Sequence, residues 1–142
     1  MFEYLEKNKV YLVYTPLVVY WLFLILATSL PAANMPKIAI SDKIEHFGAF
    51  FGLSVLLSLT LLYQQKNLLL KKYFLVFTLI IVSGYGVIDE IHQAFIPGRN
   101  SDILDWTADS IGAITAVLLI WYLVRKLNYK QEIFVKPGRD NN

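Results

Sequence analysis

The chain has 142 residues, 56% of them hydrophobic and only 17% charged, with a formal net charge of +2. Its mean hydropathy of +0.50 is high for a soluble domain and points to a membrane protein of a single domain, 1–142. It has no cysteine, which excludes a disulfide framework, a zinc–thiolate site and a thiol nucleophile, and nothing in the composition suggests nucleic acid as a partner.

Four apolar runs follow in order: Val10–Leu30, Ile44–Tyr63, Tyr73–Ile88 and Ile103–Val124. A helix needs about 20 residues to cross the hydrocarbon layer. The first run meets that length outright, and the second and fourth meet it with their polar ends in the interface. The third meets it only if Asp89-Glu90-Ile91-His92-Gln93 is also helical and carries it on towards Phe95. None of the runs alternates as a strand would. Spanning helices satisfy their own backbone groups, so the expectation is an all-α, four-transmembrane-helix bundle. The helices should lie at about 10–30, 44–63, 73–95 and 103–124, with 125–142 as a tail whose end, Lys136–Asn142, reads as disordered. The first run also has features of a secretory signal peptide, with Lys7 and Lys9 before it and Ala27-Thr28-Ser29 as a cleavage sequence. Its apolar core exceeds the usual run of about 7–15 residues, which favours a span.

Charge orients the bundle. Ten Lys and Arg residues fall in the amino-terminal tail (Lys7, Lys9), the second loop (Lys66, Lys71, Lys72) and the carboxy-terminal tail (Arg125, Lys126, Lys130, Lys136, Arg139), against three on the other face (Lys37, Lys43, Arg99). The positive-inside rule then places both termini in the cytoplasm. Tyr11, Tyr63, Tyr73, Trp106 and Trp121 lie near the run ends, as interfacial aromatics should. Seven acids (Asp42, Glu45, Asp89, Glu90, Asp102, Asp105, Asp109) gather on the outer face, which nets −4 and also holds both histidines, His46 and His92.

Three segments supply that face. In Ser41-Asp42-Lys43-Ile44-Glu45-His46-Phe47, the residues Asp42, Glu45 and His46 fall within about 100° of one side of a helix. Asp42-x-x-Glu45 has capping-box spacing, which accounts for those two acids without any chemistry. His46, one turn into an apolar helix, has no such account. A lone histidine is commonly a packing residue, but the acids around it make a functional role equally tenable.

In Gly84-Tyr85-Gly86-Val87-Ile88-Asp89-Glu90-Ile91-His92-Gln93, the residues Gly86, Asp89, Glu90 and Gln93 share one face, with His92 partly aside. Gly84 and Gly86 read as points of close helix approach. Glu90 must sit at the bilayer edge or deeper, where an ionisable group is costly and functional by default. In Phe95-Ile96-Pro97-Gly98-Arg99-Asn100-Ser101-Asp102, Pro97-Gly98 suits the centre of a type II turn. Arg99 follows on a short loop, either in a structural salt bridge or held for an oxyanion. Asp102, Asp105 and Asp109 then lie within about 60° of one face. The first two complement the helix dipole. Asp109 lies too deep for capping and should face inward, within reach of His46 or Arg99.

In this order, the segments resemble the VanZ-like family. Asp42-Lys43-Ile44-Glu45-His46-Phe47-Gly48-Ala49-Phe50 matches its Asp-Lys-x-x-His-Phe-x-x-Phe opening. Gly86 through Glu90, Gln93, Phe95, Pro97 and Arg99 match its Gly-x-x-x-Glu-x-x-Gln-x-Phe-x-Pro-x-Arg stretch. Asp102, Asp105, Asp109 and Gly112 follow its last helix opening, with Asp109 where many relatives carry asparagine. The likeness covers about residues 40–125. It implies a bacterial cytoplasmic (inner) membrane and an envelope role, since the family is named for a protein linked to low-level resistance to the glycopeptide teicoplanin.

Several readings fit these residues. An enzyme acting on a lipid-linked envelope molecule would use Glu90, His46 and Asp109 as catalytic groups. Arg99, Gln93, Lys43 and Asp42 would contact the headgroup. A phosphate substrate on a face netting −4 would call for a divalent cation, Mg²⁺, Mn²⁺ or Ca²⁺, on Asp102, Asp105 or Glu90. A non-catalytic binder of envelope precursors, or of a partner membrane protein, would need the same face. A small transporter or proton relay would need an oligomer, a state the residues leave open. A closed ion-pair network would make the face purely structural. The absence of a glycine-rich phosphate loop, Gly-x-Ser-x-Gly and His-Glu-x-x-His argues against those enzyme classes.

Overall fold

A computed structural model describes Tyr4, residues 7–34 and residues 41–126. Lys37, Lys130, Lys136 and Arg139 of the charge count, and the Lys136–Asn142 end, lie outside the described residues. Those described are helical, with no strand among them, and four helices are long and apolar enough to cross a membrane: Val10–Thr28, Asp42–Tyr63, Phe74–Gln93 and Ile103–Lys126.

The first span opens with a π-helical turn, Val10–Tyr14, and continues as α1, Thr15–Thr28. Pro16 accounts for the wide turn. It has no N–H for the carbonyl four residues back, and its ring crowds that carbonyl, so the backbone opens just ahead of it. Thr15 closes the turn by donating both its N–H and its hydroxyl to the Val10 carbonyl. At the far end Thr28 and Ser29 donate their hydroxyls to the Leu24 and Ile25 carbonyls, and Pro31 follows.

The second span is α2, Asp42–Tyr63. Its N-cap is Ser41 in an extended conformation, with no side-chain cap bond. The capping box expected of Asp42 and Glu45 therefore does not form: the helix starts one residue early, and both acids lie in its first turn, where they still complement the dipole. The second loop contains a short helix the sequence did not announce, α3, Leu68–Lys72, capped by the Asn67 side chain accepting from Leu69 and Leu70 N–H. Then come α4, Phe74–Gln93, and α5, Ile103–Lys126. Asp102 Oδ1 accepts from Leu104 N–H at 2.9 Å, which closes the open end of α5.

α2 is the central helix and packs most extensively on α5, less on α4 and α1, while α5 also packs on α4. Phe50, Leu53, Leu57 and Leu61 form its buried stripe, which meets Val82 of α4 and Ala113 of α5 in one core. Lipid is as apolar as leucine, so such helices hold together by close packing rather than by escape from water. Gly112 makes this possible: a Cβ there would overlap the Phe47 carbonyl oxygen of α2 and lie 3.1 Å from Phe51 N. Large apolar side chains such as Leu22, Phe23, Leu26, Ile80, Ile111 and Leu118 point outward, a surface suited to lipid and unlike that of a soluble monomer. Of the expected interfacial aromatics, Tyr11, Tyr73 and Trp121 are exposed, whereas Tyr63 is 1% exposed and packs in the core. Trp106 turns inward and donates from Nε1 to the Ser83 carbonyl at 3.2 Å, tying α5 to α4.

Candidate functional site

The start of α2, the end of α4, the turn after it and the start of α5 converge at one end of the bundle. Gly86 allows the convergence. A Cβ on it would lie 3.1 Å from both Asp109 Oδ2 and Trp106 Cδ1 and 3.3 Å from Phe50 Cε1. Gly84, expected to act likewise, faces open space and has no such role. The type II turn forms as its residues suggest: Gly98 takes φ +77°, and Arg99 N–H donates to the Ile96 carbonyl at 3.1 Å.

The inner part of this end is a buried cluster. His46 Nδ1 faces Asp109 Oδ1 at 3.0 Å. Asp109 is fully buried and Glu90 is 6% exposed. Glu90 Oε2 accepts from Asp102 N–H at 2.7 Å, so this carboxylate also pins the entry to α5. The other oxygens, Glu90 Oε1 and Asp109 Oδ2, are buried and have no hydrogen-bond partner. His46, Glu90 and Asp109 each offer a ligand atom, and these atoms lie within 4.8 Å of one another; Asp42, His46 and Asp105 form a second such group.

The outer part is an ion-pair layer. Lys43 Nζ donates to Asp102 Oδ2 at 2.9 Å and to Asp105 Oδ1 at 2.8 Å. Its ammonium holds the Asp102 carboxyl below the usual value of 3.8. The two aspartates expected to hold a cation with Glu90 are thus bridged by a lysine, and Glu90 groups with His46 and Asp109 instead.

Of the roles expected of Arg99, the structural salt bridge does not form: it pairs neither with Asp109 nor with any other carboxylate among the described residues. It donates to Gln93 Oε1 at 3.1 Å, to the Ala27 carbonyl at 3.2 Å and to the Leu30 carbonyl at 3.4 Å. The reason is positional. The turn aims it at the end of α1, at the Ala27 carbonyl and the Leu30 carbonyl just beyond the helix.

Two cavities reach the cluster. One of about 590 Å³ runs between α1, α2 and α4, with Phe23, Leu24, Leu26 and Phe50 on its apolar wall and Asp42, Glu45, His46, Asp89 and Arg99 at its polar end. The other, of about 300 Å³, lies between α4 and α5 and is lined by Glu90, Ser101 and Trp106 among apolar neighbours. Gln93, expected at the headgroup, is buried, and its Nε2 donates to Asp89 Oδ2 at 2.8 Å while its Oε1 accepts from Arg99. Two residues that were given no role belong to the site. Asp89 is 2% exposed and lines the larger cavity, as does Tyr85, stacked on Phe50 with centroids 5.7 Å apart. The signal for both was their spacing: Asp89 shares the face of Gly86 and Gln93, and Tyr85 sits one turn before it.

No curated protein and no solved structure shows significant similarity to the chain. The family model described as VanZ/LLP1 matches residues 7–125, which include all four spans save the last residue of α5 and every residue of the polar cluster. The chain therefore belongs to the VanZ-like family, as a membrane protein with four helices able to span the bilayer.

Proposed function

We propose that the polar end is an extracytoplasmic site for the anionic head of a lipid-linked envelope molecule, with His46, Glu90 and Asp109 as the groups that act on it. The larger cavity carries this reading: it is apolar along the membrane-facing helices and polar where it meets His46, Asp89 and Arg99. That division suits an amphiphile, and about 590 Å³ is within the usual range for small-molecule sites. Arg99 favours an anionic head. All its hydrogen bonds among the described residues go to neutral oxygens, so its charge is not cancelled by an ion pair.

The side of the membrane follows from charge. Seven described Lys and Arg residues (Lys7, Lys9, Lys66, Lys71, Lys72, Arg125, Lys126) lie at the end opposite the cluster, which among the described residues has Lys43 and Arg99. By the positive-inside rule the cluster then faces outward and both termini face the cytoplasm. Chemically, Asp109 orients the His46 ring, and Glu90 Oε1, which has no hydrogen-bond partner, is the oxygen that would take up or give a proton at the head. An envelope role, including a contribution to glycopeptide tolerance, is part of the same proposal.

The test is a comparative lipid mass-spectrometry profile of membranes containing wild type or Glu90→Gln at matched levels, together with the lipids that co-purify with each. We expect one anionic lipid class to be retained by both and to change in abundance only with wild type. The same retained lipid without any change in abundance would leave a binder and remove catalysis by Glu90. Retention of bulk lipid alone by both proteins would overturn the site.

A further inference from the structure

We propose that His46, Glu90 and Asp109 form a three-ligand site for a divalent ion of the zinc or manganese type. The inference deepens the reading of the same cluster as a headgroup site, since a cation there would draw an anionic head towards a face rich in carboxylates. It rests on a mismatch in the buried end of the bundle. Two carboxylates, Glu90 and Asp109, are more than nine-tenths buried, and each keeps one oxygen with no hydrogen-bond partner. A buried, unpaired carboxylate oxygen costs far more than an exposed one. His46 faces Asp109 with only one of its ring nitrogens, Nδ1, and the ring has a second. With Nδ1 already on Asp109 Oδ1, the one remaining ring nitrogen cannot satisfy both unpaired oxygens.

Geometry favours a metal over a chance gathering of acids. The three residues come from three helices, α2, α4 and α5, and their ligand atoms lie within 4.8 Å of one another. An ion about 2.1 Å from each ligand holds those atoms roughly 3–4 Å apart, so the cluster needs to contract only slightly. One imidazole and two carboxylates form a borderline donor set that suits Zn²⁺ or Mn²⁺ better than Ca²⁺. Three protein ligands leave coordination positions open, as catalytic rather than purely structural sites do. The cavity lined by Glu90 and the one lined by His46 would give a headgroup oxygen access.

The neighbouring group, Asp42 with His46 and Asp105, is the weaker candidate. The Lys43 ammonium already lies 2.8 Å from Asp105, and Asp42 is exposed. Both groups use His46, so the chain would bind one ion and not two.

The experiment uses the full chain, purified in detergent, stripped with chelator and dialysed. Zn²⁺ binding is followed by calorimetry and Mn²⁺ binding by paramagnetic resonance. Wild type should bind one equivalent and melt at a higher temperature when loaded. Even outer-shell partners of a metal are worth 10–100-fold in affinity, so losing a ligand in Glu90→Gln or Asp109→Asn should weaken binding by at least about 100-fold. His92→Ala, outside the cluster, should bind as wild type does and so controls for adventitious histidine binding. Stoichiometry well below one in wild type overturns the site whatever the variants do. So does wild-type-like affinity in either ligand variant, or loss of binding in His92→Ala. Retained lipid is measured on the same samples: a specific lipid without metal binding would sink the metal and leave the headgroup site standing.

Discussion

The polar end of the bundle has two layers that join the same helices in opposite ways. In the outer layer Lys43 of α2 meets Asp102 and Asp105 at the start of α5, in part open to water, and every charge has a partner. In the inner layer His46 of α2 meets Asp109 of α5 beside Glu90 of α4, away from water, and two carboxylate oxygens have none. A tie between helices needs only the first arrangement. Buried charge left incompletely paired is expensive in a bilayer and persists where it serves a function. The difference separates a fastening from a site, although both join the start of α2 to α5 through an aspartate.

The sharpest way to break the comparison is to remove the inner acceptor. Asp109→Ala should destabilise the chain by about 3–5 kcal/mol, the usual cost of removing one partner from a buried pair. Asp109→Asn keeps an oxygen for the imidazole, and should fold with a much smaller loss. Thermal unfolding in detergent reads both. Equal losses for the two variants would mean that charge, rather than a hydrogen-bond acceptor, holds His46.

A second test moves both layers together. Gly112 lies where α5 touches the α2 backbone at Phe47 and Phe51, and backbone atoms cannot swing aside as a side chain can. Gly112→Ala gains about 1 kcal/mol in helix propensity, but overpacking at such a contact typically costs 1–3 kcal/mol, and here no flexible neighbour can relieve it. We expect a net loss of about 2 kcal/mol in unfolding experiments, with lipid retention falling in step. Retention that falls with no change in stability would show that the α2–α5 spacing tunes the site rather than the fold.

Much of this was legible in the residues, for physical reasons. Hydropathy and length fix spanning helices because a bilayer allows few alternatives, and the four spans lie within two residues of those expected. Helical spacing brought Gly86, Asp89, Glu90 and Gln93 to one buried face and Asp109 inward to His46. What the spacing could not give was partner choice across helices. Lys43 could have met any of several acids, and its place between Asp102 and Asp105 depends on where α2 crosses α5. Arg99 looked like a carboxylate partner because acids surround it in sequence, but the turn at Gly98 aims it at the last carbonyls of α1. The capping box failed through a one-residue shift in the start of α2, which periodicity does not resolve.

The smallest effect belongs to the outer layer. Asp102→Asn keeps the Oδ1 acceptor for Leu104 N–H and removes only the charge paired with Lys43, and because these two side chains are 43% and 41% exposed the pair is screened. At neutral pH the melting temperature should fall only slightly, and metal and lipid binding should be unchanged. The acid side gives a sharper check. With Lys43 present, the Asp102 carboxyl titrates below its usual value of 3.8, so its contribution is fully present above that pH and is lost as the pH falls through the lowered value. The small advantage of wild type over Asp102→Asn should therefore persist down to about pH 4 and shrink below it. An advantage that is large at neutral pH, or that survives full acidification, would make the outer layer more than a fastening and erase the contrast with the cluster beneath it.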